Sequence, residues 1–123
     1  MVRAGSLLAQ RLGPWGAPID TTPIVIDESI GLVPTSGDPT VIGLPSGWVV
    51  AWASGARTGS FDVYFRIVAA NGTMSDVRTA NRSTLGTQWD PELVAITSGF
   101  VVGWSDENGS PDDYGSGVVA RVF

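Results

Sequence analysis

Apolar residues along the chain come in short bursts, and nearly every burst ends in Gly, Pro, Asn or Asp. The stretch GWVVAWAS at 47 to 54 sets Trp48, Val50 and Trp52 on one face and Val49 and Ala51 on the other. β-Branched and aromatic residues on both faces of so short a run predict a strand covered on both sides. Breakers recur about every eight to twelve residues, the spacing of an all-β protein, and no stretch between them carries a helical period. Helix content should be close to nil. The predicted strands run from Leu7 to Leu12, Ile24 to Glu28, Val41 to Leu44, Trp48 to Ala53, Phe61 to Val68, Asp76 to Ala80, Leu93 to Ile96, Phe100 to Ser105 and Val118 to Phe123.

The bursts repeat. PTVIGLPSGWVVAWAS at 39 to 54 aligns without gaps to PELVAITSGFVVGWSD at 91 to 106, placing Pro39 on Pro91, Val41 on Leu93, Gly47 on Gly99 and Trp52 on Trp104. Asp38 and Asp90 precede the two prolines. A looser threefold match relates LLAQRL (7 to 12), VYFRIV (63 to 68) and VVARVF (118 to 123), and Arg11, Arg66 and Arg121 are expected to share one phase. The period is about 52 to 55 residues, which divides a single domain, 1 to 123, into a partial unit near 5 to 37, a full unit 38 to 89 and a partial unit 90 to 123. Lettering the strands of a full unit a to d, the chain reads c, d, then a, b, c, d, then a, b, c.

Four short antiparallel strands per unit, the second apolar on both faces, suit the blade of a β-propeller, whose sheet lies between neighbouring blades. The expected fold class is therefore all-β, about two blades, completed by oligomerisation or belonging to a longer array. A closed propeller needs about four or more blades. Three or four copies could close head to tail, the Ile24 to Glu28 strand of one completing the last blade of the next. The Leu7 to Leu12 strand is then surplus.

Composition narrows the function classes. A formal charge of -5, seven cations that are all Arg and a pI near 4.3 leave no basic face for nucleic acid or an anionic membrane. No Cys and no His remove thiolate chemistry and the commonest general base and metal ligand. No apolar run approaches the roughly 18 residues of a membrane helix, and MVRAGSLLAQRLG does not read as an export signal.

Two stretches carry a family resemblance: QWDPELVAITSGFVVGWSDENGSPDDYGSGVVARVF and FDVYFRIVAANGTMSDVRTANRSTLGTQWDP. Their pattern, Q-x-x-P and then Gly-aromatic-Val-Val-x-Trp, an Asp/Gly/Ser-rich loop and an aromatic strand with one Arg, resembles repeats of large secreted and surface-attached bacterial proteins. The likeness covers residues 38 to 123, and 5 to 37 more loosely. It implies propeller blades, a parent that is extracellular or on the cell surface, and similarity to adhesins and calcium-associated repeat proteins. It implies no set of catalytic residues. The first unit departs from the pattern, lacking its opening strands and the acidic loop.

Recurring residues are expected to be scaffold. Trp52 and Trp104 should pack against a neighbouring sheet, and Arg11, Arg66 and Arg121 should act as struts, with Asp38 and Asp90 as their carboxylate partners. Residues present in one copy are the candidate sites. The loop SDENGSPDDYGS offers Asp106, Asn108, Ser110, Asp112 and Asp113, hard oxygen ligands for Ca²⁺ about a bend at Gly109. Trp15, Trp89 and Tyr114 on predicted turns, with Gln88 beside Trp89, could stack on and hydrogen-bond a glycan. Asp62, Asp76, Asp90, Glu92 and Asp106 include the carboxylates that glycoside hydrolysis would need, but no spacing pairs two of them. The chain is therefore expected to be a non-enzymatic binding or adhesive module, with a purely structural, self-assembling unit as the alternative.

Overall fold

A computed structural model describes residues 6–28, 39–55, 60–82, 86–107 and 117–123. Nine strands appear in it: β1 (Leu7–Ala9), β2 (Ile24–Asp27), β3 (Thr40–Leu44), β4 (Gly47–Ser54), β5 (Asp62–Ala69), β6 (Arg78–Thr79), β7 (Gln88–Ile96), β8 (Gly99–Asp106) and β9 (Gly117–Val122). They form three antiparallel sheets ordered β1-β2, β3-β4-β5-β6 and β7-β8-β9. No helix occurs among the described residues.

The second sheet is the middle layer. Val49, Ala51, Val63 and Phe65 on one of its faces close against Leu93, Phe100, Val102 and Trp104 of the third sheet. Phe65 anchors this seam, its ring 5.4 Å from that of Phe100 and 4.5 Å from that of Phe123. On the opposite face Val50, Trp52, Tyr64 and Val68 meet Ile26, with Leu7, Ala9 and Ile24 packed around them. Hence Val49 to Ser54 of β4 are buried without a break, as expected for a strand with apolar residues on both sides. Its repeat β8 alternates instead, with Phe100, Val102 and Trp104 buried and Val101, Gly103 and Ser105 half-buried. The same kind of sequence gives two burial patterns because only one of the two strands has sheets on both faces.

Each expected strand is present, but some limits differ. The first stops at Ala9, and Leu12 makes only an isolated bridge to Pro18. Conversely, β7 begins at Gln88, so Trp89 lies in a strand opposite Ser105 and not on a turn. The ladder skips Asp90 and Pro91, where the register shifts and Asp90 adopts φ 50°. Proline has no N–H to give a ladder, and the bulge lets the strand continue past it.

Turn geometry corrects the threefold arginine match. The hydrogen bonds Gly13 N to Ala17 O, Gly16 N to Gly13 O and Ile19 N to Arg11 O recur one for one as Ala69 N to Thr73 O, Gly72 N to Ala69 O and Ser75 N to Ile67 O. The bridge Leu12–Pro18 recurs as Val68–Met74. Arg11 thus superposes on Ile67, not on Arg66. Because side chains alternate along a strand, that one-residue slip moves it to the other face.

The three guanidinium groups accordingly behave differently. Arg66 donates to Ile26 O (2.7 Å) and Ser75 O (2.6 Å), and Arg121 donates to Ala80 O (3.2 Å), so each reaches back to the last strand region of the preceding sheet. Arg11 instead forms an ion pair with Asp20 and reaches forward to Ala70 O (2.7 Å). Their hydrogen bond draws the Asp20 carboxyl below its ordinary range and holds Arg11 above its own. Asp90 is exposed and takes no part in these contacts, and Asp38 lies outside the described residues. Among the described residues, carbonyl oxygens and Asp20, not Asp90, are the partners of these arginines.

Candidate functional site

The polar residues of the interior gather at one end of the seam between the second and third sheets. Asp62 opens β5, Gln88 opens β7, Asp106 closes β8, and Asn81 follows β6, so four strand ends converge. Asn81 Oδ1 accepts the backbone N–H of Val63 (2.8 Å), while Asn81 Nδ2 donates to Asp62 Oδ1 (2.8 Å) and Gln88 Oε1 (3.3 Å). Gln88 Nε2 donates to Asp106 Oδ1 (3.3 Å), and Trp104 Nε1 to Asp106 Oδ2 (3.4 Å). The result is a relay of buried side chains, Asp62 to Asn81 to Gln88 to Asp106 to Trp104, with Asp62 and Gln88 fully excluded from solvent.

At the equivalent place in the other seam, Asp27 follows the apolar end of β2 as Asn81 follows Ala80. There Trp52 Nε1 donates to Asp27 Oδ2 (3.1 Å). Both indoles therefore find a carboxylate, by different routes. Buried N–H groups need acceptors, and each seam supplies one from its own strand ends. Chemically, such an arrangement aligns sheets and orients side chains.

Several expected site residues are scattered by the structure. Gln88 belongs to the buried relay and presents no amide to a glycan. Trp89 is half-buried in the third sheet, whereas Trp15 projects from the β1–β2 turn with 96% of its surface exposed. Of the calcium loop, Asp106 is buried and bonded to Gln88 and Trp104, while Asn108, Ser110, Asp112, Asp113 and Tyr114 lie outside the described residues. Asp76, Asp90 and Glu92 are exposed, and Asp62 and Asp106 are joined through two carboxamides. Among the described residues no cluster of three His, Cys, Asp or Glu is placed to hold a metal ion.

Two further surfaces are apolar and accessible. An open groove of 250 Å³ separates the first sheet from the second, lined by Leu7, Ala9, Pro39, Val41, Trp48 and Val50 among others. The outer face of the third sheet carries exposed Val94, Ile96, Val118 and Val122. Neither was singled out from the sequence, although the repeat held the clue: the outer face matches Ile42, Leu44, Val63 and Ile67 of the second unit, and Val41 of the groove matches buried Leu93 of the third. No family model, no curated protein and no solved structure matches the chain.

Proposed function

We propose that the chain is a non-enzymatic stacking module built of propeller-type blades, the second sheet being a full blade and its neighbours parts of two more. The observation that carries this is the reuse of one seam. Trp52 and Trp104 enter equivalent positions, and Arg66 and Arg121 tie each sheet to the last strand region of the one before. The resemblance to exported bacterial repeats supports placing such a module on a surface-attached or secreted parent. Stability in such stacks rises with the number of seams. A tandem protein, with residues 40–123 joined again after Phe123, should therefore melt several degrees above the single chain in calorimetry. An unchanged or lower melting temperature would remove the stacking reading.

Trp15 favours a second reading, contact with glycans. A fully exposed indole at the tip of a rigid turn is a stacking platform for a sugar ring. The turn is set by Gly16 at φ 86°, as its repeat is by Gly72 at φ 91°. A glycan array should show binding that disappears in Trp15→Ala at unchanged melting temperature. A blank array for the native chain ends this reading and leaves the stacking one intact.

A further inference from the structure

We infer that a second copy of this chain docks on the outer face of the third sheet, seating it in the groove on its own second sheet, so that copies join head to tail. The inference rests on the stacking reading above. Its ground is that both surfaces are open halves of an interface already closed once inside the molecule.

Inside, one face of the second sheet is sealed by the third: Val63 and Phe65 of β5 are 0% exposed, with Ile42, Leu44 and Ile67 packed around them. The repeat carries this face onto the third sheet as Val118, Ala120 and Val122 in β9 and Val94 and Ile96 in β7. No described residue covers it there. Val118 is 85% exposed where Val63 is sealed, and Val122 is 64% and Val94 60% exposed.

The opposite half-interface is open as well. Leu93 of β7 sits at 7% exposure because the second sheet covers it, whereas its repeat Val41 in β3 is 60% exposed. Among the described residues the first sheet holds β1 and β2 alone, so no strands equivalent to β3 and β4 reach over Val41. The 250 Å³ groove opens where they would lie. Thus the surface that no described sheet follows and the surface that a described sheet only partly covers are, by repeat, the two sides of the closed seam. Both are apolar at the positions that meet inside, with Ala120 standing where Phe65 stands in the closed seam. A contact between two different faces propagates or closes a ring.

Docking sets β7 and β8 of one copy in the groove of the next and brings β9 to the place of that copy's β1. The native β1–β2 pairing holds three residue pairs with a register shift, a short ladder for β9 to replace. In the joined state β1 gives way and β9 lies beside β2, completing a sheet of four.

Light scattering across a concentration series of the full chain tests this. Species heavier than 12.8 kDa are expected. Val118→Asp spoils the outer face and Val41→Asp the groove, each at an exposed site outside the chain's own core, so each variant alone should run as a folded monomer. An equal mixture should form a one-to-one heterodimer, because one variant keeps an intact face and the other an intact groove. Should either variant lose its circular-dichroism signature, Val122→Asp and Val41→Lys replace it. A native chain that stays a folded monomer overturns the inference, while the tandem melt still decides the stacking reading separately. A mixture that fails to pair also overturns it, since the contact would then join like faces.

Discussion

Gly47→Ala is expected to destabilise the chain by about 3 to 4 kcal/mol, lowering its melting temperature on the order of 10 °C. Gly47 has φ 154° and opens β4 directly opposite Ala69, the last residue of β5. A methyl group there would run into the Val68 carbonyl oxygen and stand 2.8 Å from Ala69 Cα. Both are backbone atoms in the middle sheet, so relief requires moving β5, whose Val68 is buried in one seam and whose Phe65 anchors the other. Gly99, φ 158°, repeats the arrangement against the Phe123 carbonyl. This is a physical reason for the repeated Ser-Gly before the paired strands: the glycine lets the third strand of each sheet close over the start of the second. Gly43→Ala is the control, since no atom lies within 4 Å of its added carbon. Equal melting temperatures for the Gly47 and Gly43 variants would refute the account.

The strand pattern was readable because breakers and β-branched bursts act locally, and each of the nine expected strands has a counterpart. The double burial of Val49 to Ser54 followed from apolar residues on both faces. Register was harder. Aligning Arg11 with Arg66 looked natural by residue type, but Arg11 is the fifth residue of LLAQRL and Arg66 the fourth of VYFRIV, the turn from Gly13 to Ala17 keeps that offset, and a strand punishes the slip with a change of face. Pro91 read as a break between turn and strand, because a bulge such as that at Asp90 is invisible to a rule based on missing N–H groups.

The buried relay was beyond the sequence for a different reason. Gln88, Asn81, Asp62 and Asp106 carry ordinary surface residue types, and each stands beside a predicted turn. Only the convergence of four strand ends takes them out of water. Asp27 and Asn81, each directly after the apolar end of a fourth strand, were the one repeated signal. The open faces were closer to hand. Val118, Val122 and Val41 could have been paired with Val63, Ile67 and Leu93 from the alignment alone, and the strand lettering already left the outer blades incomplete. What the letters could not supply was the order of the layers, which decides that one face lacks a follower and the other a predecessor.

Asn81→Leu, matched in branching and number of heavy atoms, should cost about 3 to 5 kcal/mol in urea unfolding at an unchanged m-value. Asn81 is 4% exposed, and its amide serves three groups at once: Val63 N, Asp62 Oδ1 and Gln88 Oε1. Leucine fills the space yet deprives each of a partner in a place water does not reach. The heaviest penalty falls on Asp62, a fully buried side chain whose 2.8 Å bond from Asn81 is removed while its desolvation remains. If instead the relay were dispensable, the greater apolarity of leucine would offset the lost bonds and the change would stay under about 1 kcal/mol. The two outcomes bear on assembly as well. Asn81 precedes the seam that Arg121 spans through Ala80 O, so loosening it frees the third sheet from the second. On the docking proposal, a chain weakened here should lose heavier species together with stability, whereas Val118→Asp should lose the heavier species alone.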